Sequence, residues 1–267
     1  MKYFLKIAII IHCSLFVIDC ATAQSLNQKK KITRQDTLRG SIGSGRDWWN
    51  VMRYDIDVTP DYINKTIKGV TIITFKTKRI SDKRLLAKAL LLNESIYMQI
   101  DLQEPMQIDS ITIKDSILTG SHSTLKWEGT FDNKLNFKRE GNVFFIKIAA
   151  NHFVHKNKIE SIKIYYHGKP KEAVNPPWDG GWIWKKDANG NPWVSVACQG
   201  LGASVWYPCK DHQSDEPDWG ATLSITVPDT LSAIGNGRLK EKKSTNDGTT
   251  TWIWEVKNPI NNYNIIQ

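Results

Sequence analysis

The histidines of this chain are the side chains best suited to zinc chemistry, but their spacing is wrong for it. The six are His12, His122, His152, His155, His167 and His212. In a zinc-peptidase helix of the form H-E-x-x-H, two imidazoles four residues apart reach one metal ion from one face. His152 and His155 are three residues apart and no glutamate adjoins His152. The sequence therefore predicts a solvated pair of loop histidines and no metal site in this chain.

Three other catalytic motifs are missing as well. The chain contains no G-x-S-x-G nucleophile elbow, no Walker phosphate loop and no G-x-G-x-x-G after a predicted strand. Each of these motifs places a nucleophile or a row of backbone amides where the chemistry needs it. The sequence thus gives no support for a self-contained hydrolase or for a nucleotide-dependent enzyme.

Tryptophans are concentrated in the middle of the chain, where two interpretations stay open. An indole face can stack on an apolar or sugar ring, but a tryptophan can equally fill a core. Strand spacing favours a core position for four of them: Trp182, Trp184, Trp252 and Trp254. The alternative is a non-enzymatic β-sandwich module that binds carbohydrate or glycan through Trp178, Trp182 and Trp193.

The elements that would position these residues are predicted to be strands. Alternation of apolar and polar residues marks nine of them: Tyr54–Val58, Ile67–Phe75, Ile96–Leu102, Ile108–Ile113, Val143–Ile148, Ile159–Tyr165, Trp193–Cys198, Ala221–Val227 and Thr249–Val256. Asn189-Gly190 and Asp247-Gly248 are typical of tight hairpin turns. Only Ser81–Asn93 has helical spacing. We predict an all-β fold of antiparallel and mixed sheets packed face to face, with at most one or two short helices.

The first residues of the chain are predicted to be removed. Lys2 and Lys6 flank the start of an apolar run, and Ala21-Thr22-Ala23 is a pattern that signal peptidase cleaves. Residues 1–23 are therefore predicted to be a signal peptide, and the run is too short for a stable membrane span. The product is expected to be exported, whether periplasmic, secreted or at the cell surface. Cys20 offers lipidation as an alternative, although Asp19 before it fits that poorly.

The remaining chain divides into a leader, residues 24–50, and a β domain, residues 51–267. The whole chain has 267 residues and a formal charge of +9, which invites a nucleic-acid interpretation. However, the lysines concentrate at residues 29–31 of the leader or alternate along strands, and no nucleic-acid recognition motif accompanies them. We predict no nucleic-acid partner. Cys198 and Cys209 are the two cysteines outside the signal peptide, and the sequence leaves open whether they form a disulfide.

One segment resembles a known family. Gln199 precedes Pro208-Cys209-Lys210-Asp211 by nine positions, and Asp215-Glu216-Pro217 and the Ala221–Val227 strand follow. This order is similar to the N-terminal β domain of the gluzincin aminopeptidases, peptidase family M1. The opening Tyr54–Val58 strand fits the same domain, so the resemblance covers residues 51–267.

The resemblance implies a role for two residues. Gln199 stands where family members place a glutamate or glutamine that accepts a hydrogen bond from the free α-amino group of a peptide. Gly200 follows it in the backbone that lines the substrate cleft. Glutamine supplies the acceptor without the charge, as in the leukotriene hydrolase branch. The predicted partners are a peptide with a free N-terminus and a downstream catalytic domain.

The resemblance also implies what the chain lacks. The family's zinc cofactor is held by an H-E-x-x-H helix and a further glutamate, and neither a G-A-M-E-N-type strand nor that helix is present. We therefore expect the chain to bind no zinc and to be inactive alone. Its last residues, Tyr263–Gln267, look like the middle of an alternating strand, from which we expect a truncated product.

The family's Pro-Cys-x-Asp-Glu-Pro motif is interrupted here by His212-Gln213-Ser214 and a second aspartate, Asp215. This insertion predicts a reshaped loop. Asp211, Asp215 and Glu216 could form a metal cluster, but the family's carboxylates at this point cap turns and pair with bases. We expect the same structural roles here.

Overall fold

The computed structural model describes residues 31–78, 87, 95–114, 118–119, 126–127, 130–131, 133–149, 152 and 157–267. The predicted signal peptide and, apart from Ala87, the predicted helix Ser81–Asn93 lie outside the described residues. Gln35–Gln267 forms one compact unit, and residues 31–34 are all that is described of the preceding unit. The domain boundary drawn at residue 50 stays a prediction.

The described residues form one α-helix, α1 (Arg34–Gly40), and fifteen strands. The strands are β1 (Trp49–Asp61), β2 (Thr66–Thr77), β3 (Ile96–Asp101), β4 (Gln107–Ile113), β5 (Leu118–Thr119), β6 (Lys126–Trp127), β7 (Asn133–Lys134), β8 (Phe137–Glu140), β9 (Val143–Ile148), β10 (Ile159–Gly168), β11 (Gly181–Lys186), β12 (Pro192–Ala197), β13 (Ala221–Pro228), β14 (Arg238–Thr245) and β15 (Thr249–Val256). Short 3₁₀ helices lie at Ala203–Val205 and Asn262–Asn264. The all-β prediction is confirmed.

The largest sheet has eight strands in the order β14-β15-β13-β1-β2-β10-β4-β7. It is mixed, because β1 pairs in parallel with β13 while the other neighbours run antiparallel. A three-stranded sheet has the order β3-β9-β8, and β11-β12 and β5-β6 form two-stranded sheets. The parallel pair brings the loop before β13 beside the start of β1.

In strands such as β1 and β13, alternation places one face in the core. In β1 the buried residues Tyr54, Ile56 and Val58 alternate with Asp55 and Asp57, which are half-buried and exposed. The two predicted hairpins are also confirmed: Gly190, with φ +85°, joins β11 to β12, and Gly248, with φ +82°, joins β14 to β15. These left-handed conformations favour glycine at both turns.

The four tryptophans predicted at core positions do pack into the core. Trp182 is fully buried, and Trp184, Trp252 and Trp254 pack half-buried against the core residues. Trp178 and Trp193 are 79% and 63% exposed. Because Trp182 shows no face to solvent, it cannot share a carbohydrate platform with these two.

Besides the short strands β5 to β8, which were not predicted, two parts of the chain differ from the prediction. β14 is exposed along its whole length and was not predicted. The last residues form a 3₁₀ helix, Asn262–Asn264, where an alternating strand was expected. The side chain of Asn261 accepts a hydrogen bond from Tyr263 N at 2.9 Å, and such local bonds compete with strand pairing. No helix within the described ranges is both long and apolar enough to cross a bilayer.

Candidate functional site

Gln199 and Gly200 lie in the turn that follows β12. The amides of Leu201 and Gly202 donate to the carbonyl of Cys198 at 3.1 and 2.8 Å and close this turn. Gly200 has a φ of +69°, which glycine adopts without strain. Both predicted residues are exposed, as a contact with substrate requires.

Two side chains from distant parts of the chain form hydrogen bonds with Gln199 and Gly200. The Tyr263 hydroxyl donates to Gln199 Oε1 at 2.7 Å, and Arg39 Nη2 donates to the Gly200 carbonyl at 2.9 Å. An amide oxygen has two lone pairs, so Gln199 keeps acceptor capacity beside its bond to Tyr263. Sequence reasoning missed both partners, because no local pattern links residues this far apart.

A cavity of about 490 Å³ adjoins the turn. Its walls come from α1, the Gly200 turn, the segment after Pro208 and the 3₁₀ helix near the end of the chain, and they include Asp36, Arg39, Gly200, Asp211 and Tyr263. Gln199 itself is not among the lining residues. The structure therefore places Gly200 on the cavity wall and Gln199 beside it, turned onto Tyr263.

A network of buried polar residues supports the turn that carries Gln199 and Gly200. Asp211 Oδ2 accepts from the amide and hydroxyl of Ser204 at 3.2 and 2.6 Å, and the Asp211 amide donates to Asp101 Oδ2 at 3.0 Å. Asp101 in turn forms a buried ion pair with Arg46. Burial raises the pKa of Asp101 to about 6, against the opposing effect of the Arg46 guanidinium.

A second buried pair lies in the inserted loop. Lys210 Nζ is 3.4 Å from Asp215 Oδ1 and donates to the Trp49 carbonyl at 2.9 Å. Desolvation raises the pKa of Asp215 and lowers that of Lys210, while their mutual attraction opposes both shifts. Asp211 therefore caps the turn at Ser204, and Asp215 forms an ion pair with a basic side chain, Lys210. These are the structural roles that were predicted for the two aspartates. Among the residues that the structure describes, no three His, Cys, Asp or Glu are grouped to hold a metal ion.

The prediction that His152 is solvated is wrong. His152 is buried, and its Nδ1 lies 3.0 Å from Glu160 Oε1. Glu160 belongs to β10 and is itself buried. The His152 imidazole therefore lies in the protein interior next to the Glu160 carboxylate, and not in solvent. Its predicted companion, His155, lies outside the described residues.

The two cysteines next to the candidate site are free thiols. Cys198 and Cys209 are both buried and form no disulfide. Burial raises the pKa of Cys198 to about 12 and raises that of Cys209 as well. The thiolate, which is the reactive form, is therefore suppressed at both positions.

We expect Cys198 and Cys209 to resist iodoacetamide at pH 8 in the folded chain and to react fully in denaturant, because neither is accessible or ionised. Mass-spectrometric mapping of the peptides that carry the two residues measures this. Labelling of either one in the folded chain at the denatured rate would contradict the buried, protonated state.

No protein-family model matches this chain, and no curated protein matches it. Solved structures do. The M1 zinc metallopeptidase from Deinococcus radiodurans matches with a TM-score of 0.56 at 15% identity, over 83% of this chain and 42% of that one. A mutant of it bound to a Tyr-Ser-Ala substrate matches with a TM-score of 0.57 at 16% identity, over 84% and 43%.

Native leukotriene A4 hydrolase from Saccharomyces cerevisiae matches with a TM-score of 0.56 at 16% identity, over 90% of this chain and 32% of that one. This chain therefore spans less than half the length of the structures that it matches. At sequence identities of 15 to 16%, these matches are evidence for a shared backbone fold alone. Over the matched residues, the chain has the fold of an M1 zinc metallopeptidase N-terminal domain.

Proposed function

We propose that this chain is the substrate-cleft domain of an exported zinc-dependent aminopeptidase, which removes N-terminal residues from peptides. Gln199 and Gly200 anchor the free amino terminus of the substrate. Zinc and the catalytic residues belong to a downstream domain outside this sequence, so the chain alone hydrolyses nothing. The sequence contains no H-E-x-x-H motif, and no three His, Cys, Asp or Glu are grouped around a common point among the residues that the structure describes.

The observation that carries this proposal is the exposed Gln199 acceptor on a turn that hydrogen bonds from Tyr263 and Arg39 hold beside a cavity of about 490 Å³. An ammonium group donating to a fixed amide oxygen forms a charge-assisted hydrogen bond, which is stronger than a neutral one. The Tyr-Ser-Ala substrate in one matched structure carries an α-amino group at its first residue. The same chemistry would seat such a group at Gln199.

The carbohydrate-binding alternative has less support from the geometry. It needs three tryptophans on one surface, and Trp182 is fully buried while Trp178 and Trp193 are exposed. An apolar groove of about 280 Å³ beside Trp193 is lined by Pro60, Tyr62 and Leu231 among others. Sugar recognition also requires polar groups that converge on the ring hydroxyls. Besides the Tyr62 hydroxyl, the polar side chains that line this groove belong to Ser195, Ser232 and Gln267.

Replacing Gln199 with alanine is expected to weaken the binding of Ala-Ala-Ala to the complete protein by tenfold or more, roughly the value of a hydrogen bond to a charged group. Binding of acetyl-Ala-Ala-Ala, which carries no ammonium, should change less than about twofold. Dissociation constants for both peptides, measured by calorimetry on zinc-free protein so that neither peptide is cleaved, test this.

Gln107→Ala is the matched control, because it removes an exposed glutamine of β4 that lies outside the candidate site. It should leave both dissociation constants unchanged. An equal loss for the free and the acetylated peptide in Gln199→Ala would overturn the anchoring role.

A further inference from the structure

We propose that Tyr263 is a positioning residue that orients the Gln199 amide for the substrate amino group. The inference rests on the proposed function and names a part of its site that the sequence did not indicate. Its basis is the 2.7 Å hydrogen bond from the Tyr263 hydroxyl to Gln199 Oε1, between residues 64 positions apart.

Orientation matters because a glutamine amide has two chemically opposite ends. Its oxygen accepts hydrogen bonds, whereas its NH₂ group donates them and would repel an ammonium. A hydroxyl that donates to Oε1 holds the oxygen on the Tyr263 side of the amide. Tyr263 lines the 490 Å³ cavity and Gln199 does not, so this contact places the acceptor at the cavity edge with one lone pair available.

Tyr263 is itself held in place by its neighbours. Its amide donates to Asn261 Oδ1 at 2.9 Å, and Asn261 Nδ2 donates to the Gln213 carbonyl at 2.9 Å. The next residue along, Asn262, is buried and donates through Nδ2 to the Lys210 carbonyl at 2.8 Å. The 3₁₀ helix that carries Tyr263 is therefore fastened to the segment from Lys210 to Gln213.

This fastening gives the inserted loop a role. Gln213 is one of the residues that interrupt the Pro-Cys-x-Asp-Glu-Pro motif, and its carbonyl is the acceptor for Asn261. Within the loop, Ser214 Oγ lies 2.8 Å from His212 Nδ1 and steadies the turn. The insertion thus supports Tyr263, and Tyr263 supports Gln199.

Tyr263→Phe removes only the hydroxyl and keeps the ring. In the complete protein we expect the KM for Ala-Ala-Ala to rise about fivefold with kcat within about twofold, as for the loss of one neutral hydrogen bond that acts on binding. In a Gln199→Ala background the same change should have no further effect, because Tyr263 acts through Gln199. Tyr97→Phe, an exposed tyrosine of β3, is the matched control and should leave KM unchanged.

A second measurement separates this inference from the proposed function. In the 267-residue chain, Tyr263→Phe should move the side-chain amide NMR signals of Gln199 toward those of a free glutamine, whatever the protein binds. Unmoved signals, or a rise in KM that persists in the Gln199→Ala background, would overturn the role of Tyr263. Failure of the free-versus-acetylated selectivity alone would overturn the proposed function and leave the contact between Tyr263 and Gln199 intact.

Discussion

Replacing Arg46 with methionine is expected to lower the free energy of unfolding by about 3 to 5 kcal/mol, the usual cost of removing one partner of a buried ion pair. Arg46 is 0% exposed and pairs with Asp101, which is also buried. Methionine keeps much of the length of the side chain but leaves the Asp101 carboxylate without its counter-charge. Urea unfolding followed by tryptophan fluorescence measures the loss.

Two further variants identify the cause of that loss. In Arg46→Met/Asp101→Asn the charge is gone, while the amide oxygen can still accept from the Asp211 amide, so part of the lost stability should return. Arg238→Ala removes an exposed arginine from β14 and should change stability by no more than about 0.5 kcal/mol. A double variant as unstable as Arg46→Met alone would show that the unpaired carboxylate is not responsible.

Arg46 also connects the core to the candidate site. Its Nη1 donates to the carbonyls of Arg39 and Ser41 at 2.8 and 3.0 Å, and Arg39 donates to Gly200. On the other side, Asp101 accepts from Asp211, which holds Ser204. One buried charge pair therefore supports both flanks of the Gln199 turn, and its loss should disturb the site as well as the fold.

The strands were predictable where one face meets the core and the other meets water. The predicted Ala221–Val227 strand is β13 in the structure, where buried residues alternate with more exposed ones, since a strand with one face in the core needs that pattern. β14 could not be found in this way. It is an exposed edge strand in the sequence Arg-Leu-Lys-Glu-Lys-Lys-Ser-Thr, and charged residues at an edge discourage further pairing but leave no hydrophobic period.

The candidate site was predictable only in part, because its support is non-local. The resemblance indicated Gln199 and Gly200, and the structure places both on one exposed turn. Arg39 lies 161 positions from Gly200 and Tyr263 lies 64 from Gln199, and no spacing rule reports contacts of that separation. The end of the chain was mispredicted for a related reason: Asn261 bonds its own backbone, which a hydrophobic pattern does not register.

Gly202→Ala is expected to destabilise the chain by about 3 kcal/mol or more, through two effects at one position. Gly202 has φ +86° and ψ 176°, a backbone conformation that is essentially restricted to glycine and costs an alanine about 1 to 3 kcal/mol. A Cβ there would also lie 2.3 Å from Asp211 Oδ2. That carboxylate cannot yield freely, because it holds the amide and hydroxyl of Ser204, and breaking buried hydrogen bonds adds about 1 to 3 kcal/mol.

Gly200→Ala is the comparison, because Gly200 also has a positive φ, +69°, but nothing lies within 4 Å of the added Cβ. It should lose only the backbone cost of about 1 to 2 kcal/mol in the same urea unfolding measurement. Equal losses for the two variants would mean that Asp211 moves aside without penalty, and that the carboxylate does not brace the turn. A larger loss in Gly202→Ala is the expected result, since its added Cβ meets the Asp211 carboxylate on top of the strained backbone, whereas the Cβ added at Gly200 meets nothing.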